Sequence, residues 1–262
     1  MEQRQHTLLT FGGAWSNHIY ATAAAGARYG FNTIGIIRGE RHEPLNPTLR
    51  FATDCGMRLE YIDRETYRHK TSPEFIEQLK LRHGRFYLLP EGGSNELALR
   101  GCAEIVADIA VDTDRPFDVI TVACGTGATL AGLASALGHG QRAIGYAVLK
   151  GADFLRRDVA VMLAAAGSAG TPDWRIETGY HCGGYARTQP ALMDFIHWFD
   201  DEFGIELDAV YTGKMFYGLF DQIHNGVFEK GSRIIALHTG GLQGNAGFAG
   251  LSKSQATLSA IS

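Results

Sequence analysis

The sequence predicts an α/β protein with parallel sheets. Three observations carry that reading: short apolar runs alternate with longer helical patterns, the strand-like runs lack polar alternation, and glycines bunch where those runs end. Residues 7–11 read as a strand and 16–29 as a helix stopped by Gly30. Residues 33–37 follow as a strand, 48–54 as a helix and 57–62 as a strand. A helix over 73–81 then leads to a strand at 86–89. The next helix, from Asn95, places Ala98, Cys102, Ile105 and Ile109 on one face. Further strands are expected at 119–123, 144–148, 208–211 and 234–238, with helices between them. Val119-Ile120-Thr121-Val122-Ala123 and Ile234-Ile235-Ala236-Leu237 show no alternation, as expected of parallel strands covered on both faces. The loop Pro90-Glu91-Gly92-Gly93-Ser94 is the expected boundary between a smaller α/β domain, 1–92, and a larger one, 93–262, with a ligand in the cleft between them.

Composition narrows the function classes. The 262 residues are 45% apolar and 20% charged, with a formal net charge of −4 and no block of like charges. Nucleic acid and anionic membranes are therefore poor partners. No apolar run reaches bilayer length, and residues 1–6 lack a hydrophobic signal core. Cys55, Cys102, Cys124 and Cys182 are scattered without metal-ligand spacing, so no metal is expected and a reduced, cytoplasmic protein is the reading.

Glycine is in excess, with 33 residues against a usual share of about 7%. Pairs at Gly12–Gly13, Gly92–Gly93, Gly125/Gly127, Gly183–Gly184 and Gly240–Gly241 lie at or just after expected strands. Such positions let backbone N–H groups approach a ligand. Cys124-Gly125-Thr126-Gly127-Ala128-Thr129 follows a strand and opens a helix. Unpaired helix N–H groups and the helix dipole make that context an anion site, and the threonine hydroxyls add donors. A glycine-rich turn without a ligand would read the same way. The segment matches neither a G-x-G-x-x-G fingerprint nor a Walker A loop, and no acidic ribose ligand follows in a βαβ context, which argues against a dinucleotide-binding oxidoreductase.

Gly12-Gly13-Ala14-Trp15-Ser16-Asn17-His18 is a second strand–loop–helix opening, where Ser16 or Asn17 serves as helix cap or as site residue. Tyr211-Thr212-Gly213-Lys214 and His238-Thr239-Gly240-Gly241 sit at other expected strand ends. Ligands gather at the carboxyl ends of parallel strands, so these polar groups can converge.

Six ordered motifs, Gly-Gly-Ala-Trp-Ser-Asn-His, Pro-Glu-Gly-Gly-Ser-Asn, Gly-Thr-Gly-Ala-Thr, Gly-Gly-Tyr, Tyr-Thr-Gly-Lys and His-Thr-Gly-Gly, run from Gly12 to Gly241 within a match over residues 7–241. In these the chain resembles the D-cysteine desulfhydrase/1-aminocyclopropane-1-carboxylate (ACC) deaminase family, of the tryptophan-synthase-β type (fold type II). The resemblance implies two parallel-sheet α/β domains, pyridoxal 5'-phosphate as cofactor in the cleft between them, a small amino-acid substrate and a homodimer. It also implies residue roles. Gly125, Thr126, Gly127, Ala128 and Thr129 would hold the cofactor phosphate, and Asn17 the ring hydroxyl. Ser16 would stand beside the substrate's α-carbon and carboxylate, while Tyr185 and Tyr211 would line the substrate pocket. Thr212 and Thr239 would face the pyridine nitrogen.

A hydroxyl leaves that nitrogen largely neutral, where a carboxylate would favour pyridinium. The weaker electron sink suits β-elimination. ACC deaminases of the family carry Glu and Leu at the two threonine positions, so D-cysteine is the expected substrate, ACC the runner-up, and a non-catalytic relative the third reading. The family's Schiff-base lysine lies in a Gly-Asn-Lys stretch upstream of the first strand, and residues 1–5 read as the end of the helix that follows it. Without that lysine the chain is expected to be nearly inert. Of Lys70, Lys80, Lys150, Lys214, Lys230 and Lys253, only Lys150 and Lys214 sit near expected strand ends.

Overall fold

The chain divides after Gly93 into two units, Met1–Gly93 and Ser94–Ser262, in a computed structural model that describes residues 5–113, 115–167, 172–248 and 250–251. The expected helix end at residues 1–4, and Lys253, lie outside the described residues.

Unit 1 runs β1 (Thr7–Gly13), α1 (Asn17–Tyr29), β2 (Asn32–Arg38), α2 (Pro47–Asp54), β3 (Arg58–Ile62), α3 (Arg64–Arg68), α4 (Pro73–His83) and β4 (Tyr87–Leu88). The strands pair in parallel in the order β3-β2-β1-β4. Two apolar layers cover the sheet because strand side chains alternate between faces. Ile34 and Ile36 join Leu9, Phe11, Tyr67, Phe75 and Leu79. Ile37, pointing the other way, joins Ile19, Ala23, Leu49, Ala52 and Met57. Helix starts follow the local sequence: Ser16, Asn46, Asp63 and Ser72 each accept from a first-turn amide. Gly30 ends α1 at φ 73°, as the sequence indicates.

A half-buried polar relay joins β1, α1 and the segment after β4. The Thr10 hydroxyl donates to the Leu89 carbonyl at 3.0 Å, so across its 2.7 Å contact with His18 it accepts from Nε2. His18 is therefore the neutral tautomer protonated on Nε2.

Unit 2 runs α5 (Glu96–Asp112), β5 (Val119–Cys124), α6 (Ala128–Ser135), β6 (Arg142–Ala147), α7 (Phe154–Ala165), β7 (Asp173–Glu177), α8 (Pro190–Phe203), α9 (Thr212–His224) and β8 (Ile234–Ala236), followed by a 3-10 turn at Leu242–Gly247. Its strands are parallel in the order β7-β6-β5-β8. Ile120, Val122 and Cys124 face a layer containing Leu130, Leu133, Leu155 and Val159. Val119, Ile144 and Tyr146 face Ile196, Phe199, Met215 and Leu219. Close approach of α6 needs small residues: a Cβ on Gly145 would stand 2.5 Å from Cys124 Sγ and 2.7 Å from Leu130 Cδ2.

Three features depart from the sequence expectation. Residues 208–211 are not a strand. The buried Asp208 carboxylate accepts from the amides of Val210, Tyr211 and Thr212 at 2.7–2.8 Å, which folds the backbone into the turn that starts α9. Such side-chain-to-backbone bonds override the strand preference of Val210 and Tyr211. β7, with its Asp-Trp-Arg-Ile-Glu sequence, was too polar to stand out; it is an edge strand and pairs with β6 alone. On α5 the buried stripe is centred on Leu99 and Val106, with Ile105 and Ile109 partly buried beside it.

Leu130, fully buried against β5 and β6, gives a stability test: Leu130→Ala should lose about 2–5 kcal/mol in urea unfolding. His18 gives a pH test. Burial holds its pKa below the ordinary histidine value, with Glu91 opposing, so the unfolded chain takes up a proton at higher pH than the folded one. The stability that depends on neutral His18 is complete above about pH 6.5 and is lost as pH falls from there through the folded pKa. Unfolding midpoints at pH 7.5 and 5 should differ more for the natural chain than for His18→Gln.

Candidate active site

In unit 1 the sequence-predicted residues lie where β1 hands over to α1. Ser16 is the N-cap of α1, its Oγ accepting from the Ile19 amide at 3.3 Å. The hydroxyl proton is left to donate elsewhere. Gly12 makes room for this: a Cβ there would meet Ser16 Oγ at 2.8 Å and Ile19 Cγ1 at 2.5 Å. Ser16 and Asn17 are half-buried. Capping and site roles thus coexist at Ser16.

The loop after β4 is held from unit 1 as well. Tyr67 donates its hydroxyl to Glu91 at 2.9 Å, and Lys70 pairs with the same carboxylate at 3.0 Å. Burial, with help from Glu91, pushes the Tyr67 hydroxyl far above its usual range, so it stays a donor. Gly92 and Gly93 follow at φ 71° and 72°. The glutamate of the second motif is therefore an anchor for its loop, a role that its spacing did not reveal.

In unit 2 the loop 124–129 emerges from the carboxyl end of β5. Gly127 is the N-cap of α6 at φ 83°, and no side chain caps the helix. The first-turn amides of α6 therefore have no side-chain acceptor. Thr126 is exposed, and its Oγ1 accepts from the Ser94 hydroxyl at 2.8 Å. Ala128 is buried and Thr129 half-buried. Glycine at 127 is obligatory: a Cβ would stand 2.6 Å from Val159 Cγ2. Uncapped amides, hydroxyls and no charged side chain make a donor set suited to a phosphate monoester.

Two tyrosines adjoin that loop. A Cβ on Gly125 would lie 3.3 Å from the Tyr211 ring. Tyr185 stands edge-on to Tyr211, with centroids 6.1 Å apart and planes at 75°. Tyr185 is exposed and Tyr211 half-buried. β8 pairs with β5, and the Leu237 amide donates to the Thr121 carbonyl at 2.9 Å. The segment carrying Thr239 thus leaves the same end of the sheet as loop 124–129. His238 fixes it: Nδ1 accepts from the Gly240 amide at 3.1 Å, which leaves Nε2–H to donate to the Glu206 carbonyl at 2.9 Å. Thr239 itself is exposed.

Thr212 is placed differently. It is fully buried, and its hydroxyl donates to Asp208 Oδ1 at 2.7 Å while accepting from the Asp208 amide at 2.9 Å. Asp208 and its hold on the 208–212 turn were missed from sequence; the Asp-x-x-x-Thr spacing is the signal that could have found it. Lys214 is also buried, its Nζ donating to the Gly184 carbonyl at 2.7 Å, whereas Lys150 is exposed. Among the described residues no group of three His, Cys, Asp or Glu could hold a metal, and no helix is long and apolar enough to cross a membrane.

Known proteins resemble this chain. The family model described as pyridoxal-phosphate dependent enzyme matches residues 2–240. The bifunctional D-cysteine desulfhydrase/1-aminocyclopropane-1-carboxylate deaminase of Arabidopsis thaliana, described as mitochondrial, is 31% identical over 93% of this chain and 66% of its own length. The D-cysteine desulfhydrase of Salmonella newport is 29% identical over 90% of this chain and 76% of its own. The crystal structure of an ACC deaminase homologue superposes with a TM-score of 0.81 at 29% identity, covering 93% of this chain and 76% of that one. With a phosphate-ready loop, two parallel four-stranded sheets and relatives of this kind, the chain belongs to the pyridoxal-phosphate dependent enzymes, in the group that contains ACC deaminases and D-cysteine desulfhydrases.

Proposed function

We propose that this chain carries the cofactor and substrate sites of a D-cysteine desulfhydrase, which releases pyruvate, ammonia and sulfide. The observation that carries the reading is the exposed Thr239 hydroxyl at the same sheet end as the uncapped start of α6. A neutral hydroxyl there, rather than a carboxylate, favours a ring nitrogen that stays unprotonated. When bound, pyridoxal phosphate supplies the electron sink for the substrate's α-carbon.

The chain's own groups do the rest. The amides of residues 127–129, with the Thr126 and Thr129 hydroxyls, bind the phosphate. Asn17 orients the ring through its hydroxyl. Ser16, its lone pair taken by the Ile19 amide, donates its proton to the substrate carboxylate. Tyr185 and Tyr211 enclose the substrate and exclude water. Thr239 would address the ring nitrogen, whereas Thr212, fully buried with its proton directed at Asp208, has none to donate to an unprotonated nitrogen. ACC deamination is the second reading, supported by the Arabidopsis relative's two activities. A homodimer acting on a small amino acid fits the same family resemblance, and equilibrium sedimentation tests the dimer.

Residues 1–262 alone are proposed to bind the cofactor with little turnover. Lys214 commits its ammonium to the Gly184 carbonyl, and Lys150 is exposed. Absence of a positioned general base typically lowers rates about 10²–10⁴-fold.

Thr126→Asp tests the phosphate loop better than a change at Gly127, because Thr126 is exposed and tolerates an acidic side chain at a helix start. Pyridoxal phosphate affinity should fall at least about tenfold, or 1.4 kcal/mol, with folding intact; unchanged affinity would remove this loop from the site. A version given a family-type Gly-Asn-Lys segment ahead of residue 1 should release pyruvate from D-cysteine at least about 100-fold faster than residues 1–262. It should also prefer D-cysteine to ACC, and Thr239→Leu should lower elimination from D-cysteine. Better turnover of ACC by the unmodified extended protein would reverse the order of the two readings.

A further inference from the structure

Lys214 is the least expected group in unit 2. Its side chain is 0% exposed, although lysines are almost never fully buried unless paired. Burial draws its pKa below the ordinary lysine value, while Cys182 and Asp208 push it back up. Asp208, 2% exposed, supplies a buried charge of opposite sign.

The ammonium holds a backbone that needs holding. Cys182, Gly183, Gly184 and Ala186 have φ values of 50°, 94°, 119° and 52°. Two of these are not glycine, and such conformations persist only where the surroundings enforce them. Several ties of this turn are local: the Gly183 amide to His181 Nδ1, the Gly184 amide to the His181 carbonyl, and the Arg187 amide to the Gly184 carbonyl. Lys214 adds an anchor from 30 residues away, donating to the Gly184 carbonyl at 2.7 Å. Tyr185 is the next residue, and its ring stands against Tyr211. The opposite charge, Asp208, accepts from the Tyr211 amide at 2.8 Å. One buried charge thus grips the backbone beside each tyrosine.

We propose that Lys214 is a positioning residue: it clamps the 182–187 turn while Asp208 holds the Tyr211 backbone, so that Tyr185 stands against Tyr211 beside the Gly125 loop. Its consequence for substrate rests on the function proposed above, in which the two tyrosines line the pocket; the clamp itself does not. Lys214→Met keeps the aliphatic stem and removes the ammonium.

The full chain should be studied by hydrogen exchange and by fluorine NMR after 3-fluorotyrosine labelling, with Tyr185→Phe and Tyr211→Phe assigning the two signals. In the natural chain, the 182–187 amides should be protected about as well as α9, although Gly183, Tyr185, Ala186 and Arg187 are exposed. Lys214→Met should speed their exchange at least about tenfold while α6 is unchanged, and should move only the Tyr185 and Tyr211 signals. Uniformly faster exchange across unit 2, or no change at all, overturns the proposal. If Lys214→Met does not fold, the natural chain still decides: exchange of 182–187 at the rate of an unanchored loop also overturns it. A sound clamp combined with a Tyr185→Ala variant that binds D-cysteine as tightly as the parent does supports Lys214 as positioning residue and sinks the pocket assignment instead.

Discussion

Strand β5 has neighbours on both edges and apolar layers on both faces, so a ligand can meet it at its ends. At the carboxyl end the chain must turn straight into α6, whose face is packed on the same sheet. That turn needs Gly127 in the left-handed region with Val159 pressed against it. A residue able to cap the helix with its side chain does not fit there, and the first amides of α6 keep their hydrogen-bonding capacity. The phosphate-binding potential of this protein is thus a by-product of burying a parallel strand completely and starting a helix without a cap.

The same end of the sheet is organised by buried charge. Asp208 gathers three backbone amides and the Thr212 hydroxyl, which makes the α9 start rigid without a strand. A carboxylate with that many donors is compensated inside a protein, whereas a bare one would not survive burial. Lys214, six residues on, answers it with an opposite charge and reaches across to the 182–187 turn. The Tyr211 amide and the Gly184 carbonyl beside Tyr185 are thus tied to buried charge, while Tyr185 is exposed and Tyr211 half-buried.

Unit 1 applies a quieter version of the logic. Thr10, His18 and the Leu89 carbonyl form a directional chain in which one proton assignment fixes the next. Glu91 is held by a tyrosine and a lysine. Both devices steady segments that carry glycine pairs, so flexible residues are kept in one conformation by neighbouring side chains.

The sequence by itself determined the alternation of strands and helices, the parallel class of both sheets, a helix opening at Ser16 or Asn17, a helix start at Asn95, the stop at Gly30 and the glycine loop before α6. These are local or periodic properties: a cap needs three residues and a buried strand needs five. Family membership was legible too, because six short motifs in order carry more information than any one of them. Only the tertiary structure decided that Asp208 makes a turn where Val210 and Tyr211 suggest a strand, and that the polar run Asp173–Glu177 is an edge strand. It also decided that Lys214 is buried on a carbonyl 30 residues distant. Each of these depends on a partner far away in sequence or on a side chain competing with the backbone for its hydrogen bonds, and neither leaves a period in the chain to be read.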